Sequence, residues 1–454
     1  MLNYPTMNRD VYKELLNWKM SDRRKPLLLR GARQTGKTFI LKEFGKREYQ
    51  NVAYFNFEED PRIKDFFRGS LQPEKLIQSL SLYHKRPILP TSDLIVFDEI
   101  QVSNEALNSL KYFQEEANDY HIAAAGSLLG VKLSVPASFP VGKVNFIDLH
   151  PMSFLEFLDA LGESAYRRLI ESVEKPELFP LPFHDDLIDL LKLYFFVGGM
   201  PEAVCHYAGK RDVAGVRAIQ KEIISSYELD FAKHAPVHDI QKLSLIWASV
   251  PLQLGRENRK FLFSALKKSA RARDYEAAIL WLEDAGLILR CFAVSKPAYP
   301  LKGHADRSHF KAYALDVGLL GAMANLAPDI LTHGHRLFDE YKGAFTENYV
   351  AQQIRAIPVP ELYYWKSDGG LAEIDFLWQT RADILPVEVK SGVNPRSKSL
   401  RSYDDTFRPP QLLRITLLNM RRDGRITNIP LYAVSCLPRL QVESNRPGGP
   451  FYVA

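Results

Sequence analysis

Cysteine is scarce in this chain: Cys205, Cys291 and Cys436 are the only three among 454 residues. No two stand at metal-ligand or redox spacing, which excludes a disulfide framework, a zinc ribbon or a dithiol centre as the organising device. Long apolar runs are missing too, and no stretch approaches the length that crosses a bilayer. The start, Met1-Leu2-Asn3-Tyr4-Pro5, lacks the basic-then-apolar pattern of a secretory leader. These absences lead to the expectation of a cytoplasmic protein with no membrane partner. Charge of neither sign dominates. Lys and Arg number 59 against 54 Asp and Glu, for a net +5, a bias that permits nucleic-acid binding without requiring it. Internal repeats and low-complexity tracts are also wanting. Hydrophobic residues make up 46% of the chain, enough to build ordinary cores, and the length suggests about three domains.

What is present begins with Gly31-Ala32-Arg33-Gln34-Thr35-Gly36-Lys37-Thr38. The run fits the phosphate-loop pattern G-x-x-x-x-G-K-[ST]. Pro26 to Leu29 reads as a short buried strand before it, and Phe39 to Phe44 as the opening of a helix after it. The glycines let the backbone curl so that its N–H groups face a phosphate at a positive helix N-terminus. Residues Gly31 to Phe39 are therefore the expected ATP-binding segment. Lys37 is expected to reach the β and γ phosphates, and the Thr38 hydroxyl to ligate Mg²⁺.

A second nucleotide signal is Leu94-Ile95-Val96-Phe97-Asp98-Glu99. Four apolar residues predict a buried parallel strand, with two carboxylates at its C-terminal end, where open α/β sheets bind ligands. This is the Walker B pattern: Asp98 for Mg²⁺ through water, Glu99 to polarise the attacking water. A helix is expected from about Asn104 to Asn118. A strand from His121 to Ala125 follows, ending in Gly126-Ser127, where Ser127 either touches the γ-phosphate or simply caps a turn. With Val52–Phe57 and Val144–Leu149, five strands alternate with helices, which predicts a doubly wound parallel sheet.

The runs Leu28 to Thr38, Asp98 to Gln101, Ala125 to Ser127 and Pro151 to Leu158 resemble a prokaryotic AAA-type ATPase family, similar to the archaeal-ATPase and STAND branches of P-loop proteins. Gly198-Gly199-Met200-Pro201-Glu202 and the segment from Phe310 to Leu319 are similar to the C-terminal region of unknown function that usually accompanies this ATPase. The resemblance implies a sensor role for Ser127 and a helical lid after the sheet. One departure is plain. Relatives place an arginine finger after a glycine before the last strand, whereas this chain has Gly142-Lys143, and lysine lacks the forked guanidinium. The finger stays unassigned.

Downstream, residues 161–255 read as helical. Residues 256–330 read as a helix at Phe261–Lys268, a second at Tyr275–Ala285, then two strands, a winged helix-turn-helix outline. Between Arg256 and Lys311 there are 12 basic residues against 6 acidic ones. This excess favours DNA phosphate contact, although winged helices also pack against protein. Beyond residue 331 the order is a helix containing Glu347, strands at Glu361–Trp365, Ala372–Trp378 and Ile384–Ser391, a helix near Ser397–Tyr403 and a strand at Leu412–Leu418. This αβββαβ string resembles the restriction-endonuclease core. Glu347, Asp375, Glu388 and Lys390 match its PD-(D/E)xK pattern, with Asp375 expected mid-strand. Glu388 and Lys390 share a strand face. Glu347, Asp375 and Glu388 are expected to hold Mg²⁺ or Mn²⁺, with Lys390 positioning a water.

The expected organisation is thus an AAA-type ATPase domain (1–160), a helical lid (161–255), a winged-helix-like domain (256–330) and a nuclease-like domain (331–454). Two functions fit. One is an ATPase coupled to a DNA-binding C-terminal half, with or without DNA cleavage. The other is an ATP-dependent switch that recruits a protein partner or a further copy of itself, with an inactive nuclease-like docking domain.

Overall fold

The computed structural model describes residues 8–127, 142–256, 260–327, 343–357, 361–367, 369–381, 383–392 and 397–440. Two compact units result: Thr6–Met152 with Leu280–Leu287, and Ser153–Ile279 with Ile288–Ala454. Among the described residues no helix is long and apolar enough to cross a membrane.

In the first unit, apolar runs too short for helices become strands, the inner ones buried on both faces. They are β1 (Leu27–Gly31), β2 (Asn51–Asn56), β3 (Asp93–Asp98), β4 (His121–Ser127) and β5 (Asn145–Asp148), all parallel, in the order β2-β3-β4-β1-β5. The connections carry α1 (Val11–Met20, preceding β1), α2 (Lys37–Glu48), α3 (Pro73–His84) and α4 (Asn104–Glu116). Strand β3 lies between β2 and β4 and is buried along its whole length. Its side chains alternate between two cores. Ile95 and Phe97 pack with Phe55, Phe57, Phe67 and Leu110 on one face, and Leu94 and Val96 pack with Ile40, Leu41 and Phe44 on the other. Burying each such side chain contributes about 1.5–3 kcal/mol, so the strand that ends in Asp98 is rigidly anchored.

The second unit opens with helices: α5 (Phe154–Ala160), α6 (Ser164–Glu171), α7 (Leu181–Val197), α8 (Pro201–Lys210), α9 (Val213–His234) and α10 (Val237–Leu254). Ser153 and Glu156 form a reciprocal capping box at the start of α5. Next come α11 (Ala272–Asp284), whose residues from Leu280 onward count with the first unit, β6 (Ile288–Val294), β7 (Ala305–Ala314), α12 (Val317–Met323) and α13 (Ala344–Arg355). The chain continues with β8 (Leu362–Lys366), β9 (Glu373–Ile374), β10 (Phe376–Gln379), β11 (Ile384–Val389), α14 (Lys398–Phe407), β12 (Leu412–Thr416), β13 (Arg421–Asp423) and β14 (Ile426–Pro430). They build two sheets, β7-β6-β8-β9 and β10-β11-β12-β14-β13.

Three expectations are corrected here. Only a three-residue 3₁₀ turn, Phe263–Ala265, stands in the segment expected to be a short helix, because Phe261 instead donates its backbone N–H to Phe310 O and stacks on the Phe310 ring. The paired strands β6 and β7 are not a separate wing, since β8 adds parallel to β6 and makes them part of a four-stranded sheet. The segment Ala372–Trp378 is not one strand. It breaks at Asp375, with β9 in one sheet and β10 in the other.

Candidate functional site

The phosphate loop leaves β1 and enters α2. Gly36 caps α2 with φ +93°, and Gln34 is also left-handed at φ +63°. Gly31 admits no side chain: a Cβ there would lie 2.3 Å from Leu149 O. Arg9 buttresses the loop by donating to Thr35 O at 3.0 Å and to His150 O at 2.6 Å. The Thr35 hydroxyl closes the turn onto Ala32 O at 2.9 Å. Lys37 is 7% exposed and donates its ammonium to Gly31 O at 3.0 Å and Ala32 O at 2.9 Å. Burial pulls its pKa down to about 8, with Glu99 and Asp98 opposing. The lysine thus sits curled into its own loop at the start of a helix whose N–H groups favour an anion. Ala32 is buried, Arg33 half-buried and Phe39 exposed along the same segment.

At the end of β3, Asp98 is 2% exposed and accepts from the Thr38 hydroxyl and the Tyr54 hydroxyl, both at 2.7 Å. Its other oxygen accepts from Glu99 N at 3.1 Å. Glu99 itself is left-handed at φ +52°, uncommon for a glutamate, and Gln101 Nε2 donates to its carboxylate. Sequence reasoning missed Tyr54 and Gln101. Asn56, in register with Asp98 on β2, was the available hint that side chains of β2 converge on this end of β3, and its amide donates to the Tyr54 hydroxyl at 3.4 Å. Thr38 and Asp98 offer a hydroxyl and a carboxylate side by side, a hard-oxygen pair that fits Mg²⁺. Ser127 ends β4 opposite Gly31, but its side chain lies outside the described residues. Lys143, at the finger position, pairs with Glu115 at 2.8 Å.

The second candidate site lies in the other unit. Strands β10 and β11 are antiparallel, with Phe376 opposite Val387, so Asp375 and Glu388 fall next to each other one step further. Asp375 Oδ2 accepts from Val389 N at 2.8 Å. Glu388 is 2% exposed and pairs with Lys390 at 2.6 Å. Burial, reinforced by the Asp375 charge, pushes its carboxyl above the usual range. Glu347 comes from the buried face of α13 and accepts from the Tyr313 hydroxyl at 3.0 Å.

A residue given no site role from the sequence stands among these acids. Lys311 Nζ lies 2.6 Å from Glu373 Oε1, 3.5 Å from Glu347 Oε2 and 3.7 Å from Asp375 Oδ1, and the residue is 1% exposed. Among the described residues, no group of three or more His, Cys, Asp or Glu is arranged to hold a metal ion. The residues expected as ligands therefore do not fit a divalent centre as they stand. A lysine ammonium takes the central position, and Glu388 is turned to Lys390. Lys311 also leaves the set available to nucleic acid, whereas Lys267, Lys268, Arg271 and Arg273 remain exposed.

A third constellation joins the two motifs that carried the C-terminal resemblance. Gly198 has φ +74°, and a Cβ on it would lie 2.2 Å from Asp316 Oδ1. Asp316, fully buried, accepts from Gly199 N at 2.6 Å, Leu319 N at 3.0 Å and Gln352 Nε2 at 3.0 Å. Gln352 also donates to the Tyr194 hydroxyl at 3.0 Å and accepts from Val317 N at 2.9 Å. The helix junction, the start of α12 and α13 are thereby fastened by buried polar groups.

Residues 23–158 match the family described as AAA domain. Residues 188–329 and 342–434 match two families, each described as a domain of unknown function, DUF8612 and DUF4143. No curated protein matches the chain. Among solved structures, the Walker-type ATPase PABY2304 of Pyrococcus abyssi is 15% identical, with 70% of this chain and 96% of that one covered and a TM-score of 0.44. The Aeropyrum pernix ORC1 protein in complex with DNA is 14% identical over 70% of this chain and 90% of that one, TM-score 0.30. The Thermotoga maritima RuvB Holliday junction branch migration motor is 13% identical over 63% and 90%, TM-score 0.30. The family match falls on the unit that carries the parallel five-stranded sheet and the phosphate loop, so residues 23–158 are similar to an AAA-type P-loop domain.

Proposed function

We propose that this chain is a Mg²⁺-dependent ATP hydrolase in which nucleotide turnover drives a nucleic-acid- or partner-contacting C-terminal half. The observation that carries the reading is the convergence of Lys37, Thr38, Asp98 and Glu99 at the C-terminal ends of β1 and β3. In the proposed cycle the loop N–H groups receive the phosphates. Lys37 exchanges the Gly31 and Ala32 carbonyls for phosphate oxygens, a trade of neutral acceptors for charged ones. Thr38 and Asp98 would hold Mg²⁺, which when bound neutralises charge developing between the phosphates. Glu99 orients and polarises the attacking water, and Gln101 fixes where that carboxylate points. Ser127 is the proposed contact to the γ-phosphate. ATP hydrolysis measured in Lys37→Ala and Glu99→Gln tests this reading.

For the C-terminal half, the exposed Lys267, Lys268, Arg271 and Arg273 support DNA contact through phosphates. The alternative, a switch that recruits a protein partner or a second copy through a nuclease-like docking domain without cleavage, is favoured by Lys311 amid the acids. A cleavage centre at Glu347, Asp375, Glu388 and Lys390, using Mg²⁺ or Mn²⁺, is the weakest of the readings for the same reason. ATP hydrolysis with and without duplex DNA separates them. Stimulation supports the DNA reading, and its absence supports the switch.

A further inference from the structure

We infer that Lys311 is the resident cation of the acidic cluster, standing in place of a divalent metal and making this part of the chain metal-independent. The geometry is closed around the ammonium. Strand β7 carries Lys311 and Tyr313 two residues apart, so both reach the same side, and both meet the Glu347 carboxylate. Glu373 closes from the edge strand β9 and Asp375 from the break before β10. The Tyr364 ring lies 5.0 Å from the same nitrogen, a cation–π contact. One ammonium thus ties together β7, α13, β8 and the point where the chain passes from one sheet to the other.

A metal and this lysine exclude each other. A divalent ion bound to carboxylates sits about 2.0–2.6 Å from their oxygens. Lys311 Nζ already stands 2.6, 3.5 and 3.7 Å from Glu373 Oε1, Glu347 Oε2 and Asp375 Oδ1, so an ion shared by these acids would compete with it for the same oxygens. The side chain has no exposed route of withdrawal, being 1% exposed. Expelling it would leave an unpaired ammonium in a low-dielectric interior, which is strongly unfavourable. Glu388 is engaged by Lys390, whose Nζ lies 2.6 Å from its Oε1. The acid-x-lysine motif thus pairs Glu388 with Lys390, while Lys311 is shared among Glu347, Glu373 and Asp375.

The test is Mn²⁺ binding to the full chain without nucleotide, read by the electron paramagnetic resonance of free Mn²⁺. Wild type and Asp375→Asn are expected to bind the same number of ions. One additional ion per chain in the wild type, lost in Asp375→Asn, overturns the inference. Glu373→Gln, at the more exposed carboxylate, gives the same comparison if Asp375→Asn does not fold. A second arm measures Tm for Lys311→Met alone and in the Glu373→Gln background. The drop is expected to be clearly smaller in that background, because the lysine has then lost its nearest partner. An equal drop in both backgrounds means that Lys311 acts only as filler, and it overturns the inference as well. Neither arm requires ATP, so the outcome is independent of the hydrolase reading.

Discussion

The Thr38 hydroxyl donates to Asp98 Oδ2 across 2.7 Å, linking the first turn of α2 to the end of β3. Residues 60 positions apart are thereby held within one coordination sphere of each other. Asp98→Asn is expected to abolish the Mg²⁺ dependence of ATP binding, because an amide offers Mg²⁺ a weaker, uncharged ligand and can turn its NH₂ toward the metal. The check is ATP affinity by calorimetry with Mg²⁺ and with EDTA. Loss of the difference between the two is the expected outcome.

Tyr54 also donates to Asp98 Oδ2, at 2.7 Å. Tyr54→Phe removes one of the hydrogen bonds that orient this carboxylate, a change of about 1.5–3 kcal/mol for a charged acceptor. Since Thr38 still holds Asp98, ATP binding is expected to persist while kcat falls by about tenfold, the effect of roughly 1.4 kcal/mol on the barrier. Steady-state kinetics giving an unchanged kcat and a raised KM would instead make Tyr54 a plain binding contact.

Burial lowers the Lys37 pKa to about 8 in the ligand-free protein. A bound polyphosphate favours the charged ammonium, so binding must take up a proton wherever the free lysine is neutral. The sign follows: affinity is steady well below pH 8 and falls as pH rises through it. Calorimetry in two buffers of different ionisation enthalpy should detect proton uptake at pH 8.5 and little at pH 6.5. In Lys37→Arg, whose side chain stays charged, the uptake should vanish.

Asp316 accepts from N–H groups of Gly199, Leu319 and Gln352. Asparagine there replaces one acceptor oxygen with a donor, so at least one buried N–H loses its partner. Asp316→Asn is expected to destabilise the second unit by about 1–3 kcal/mol, seen as a lower melting temperature. Gly198→Ala is expected to do the same by another route, through its φ of +74° and the 2.2 Å approach to Asp316 Oδ1.

The nucleotide end of the chain was legible because its signals are local. The loop, the apolar run Leu94–Phe97 and the two acids after it each state their own geometry within a few residues. The parallel sheet followed from strands alternating with helices. The acidic cluster was only half legible. Glu388 and Lys390 declare a shared face by spacing, but the break at Asp375 depends on which sheet each half of the segment joins, and spacing does not encode that. Lys311 was hidden by long-range pairing, since its acids lie 36 to 64 residues away. One hint did exist. Lys311 interrupts the otherwise apolar run Phe310–Ala314, every residue of which is buried, and a charge inside such a strand requires a buried counter-ion.

The central claim is that Lys37 and Glu99 make this chain a hydrolase and not only a nucleotide binder. Its most direct test is ATP turnover and ATP affinity measured on wild type and Glu99→Gln in Mg²⁺. Binding within a fewfold of wild type with turnover reduced by about 10²–10⁴, the range for losing a positioned general base, is the predicted result. Equal turnover in both proteins would contradict the account, because Glu99 would then have no part in the chemistry.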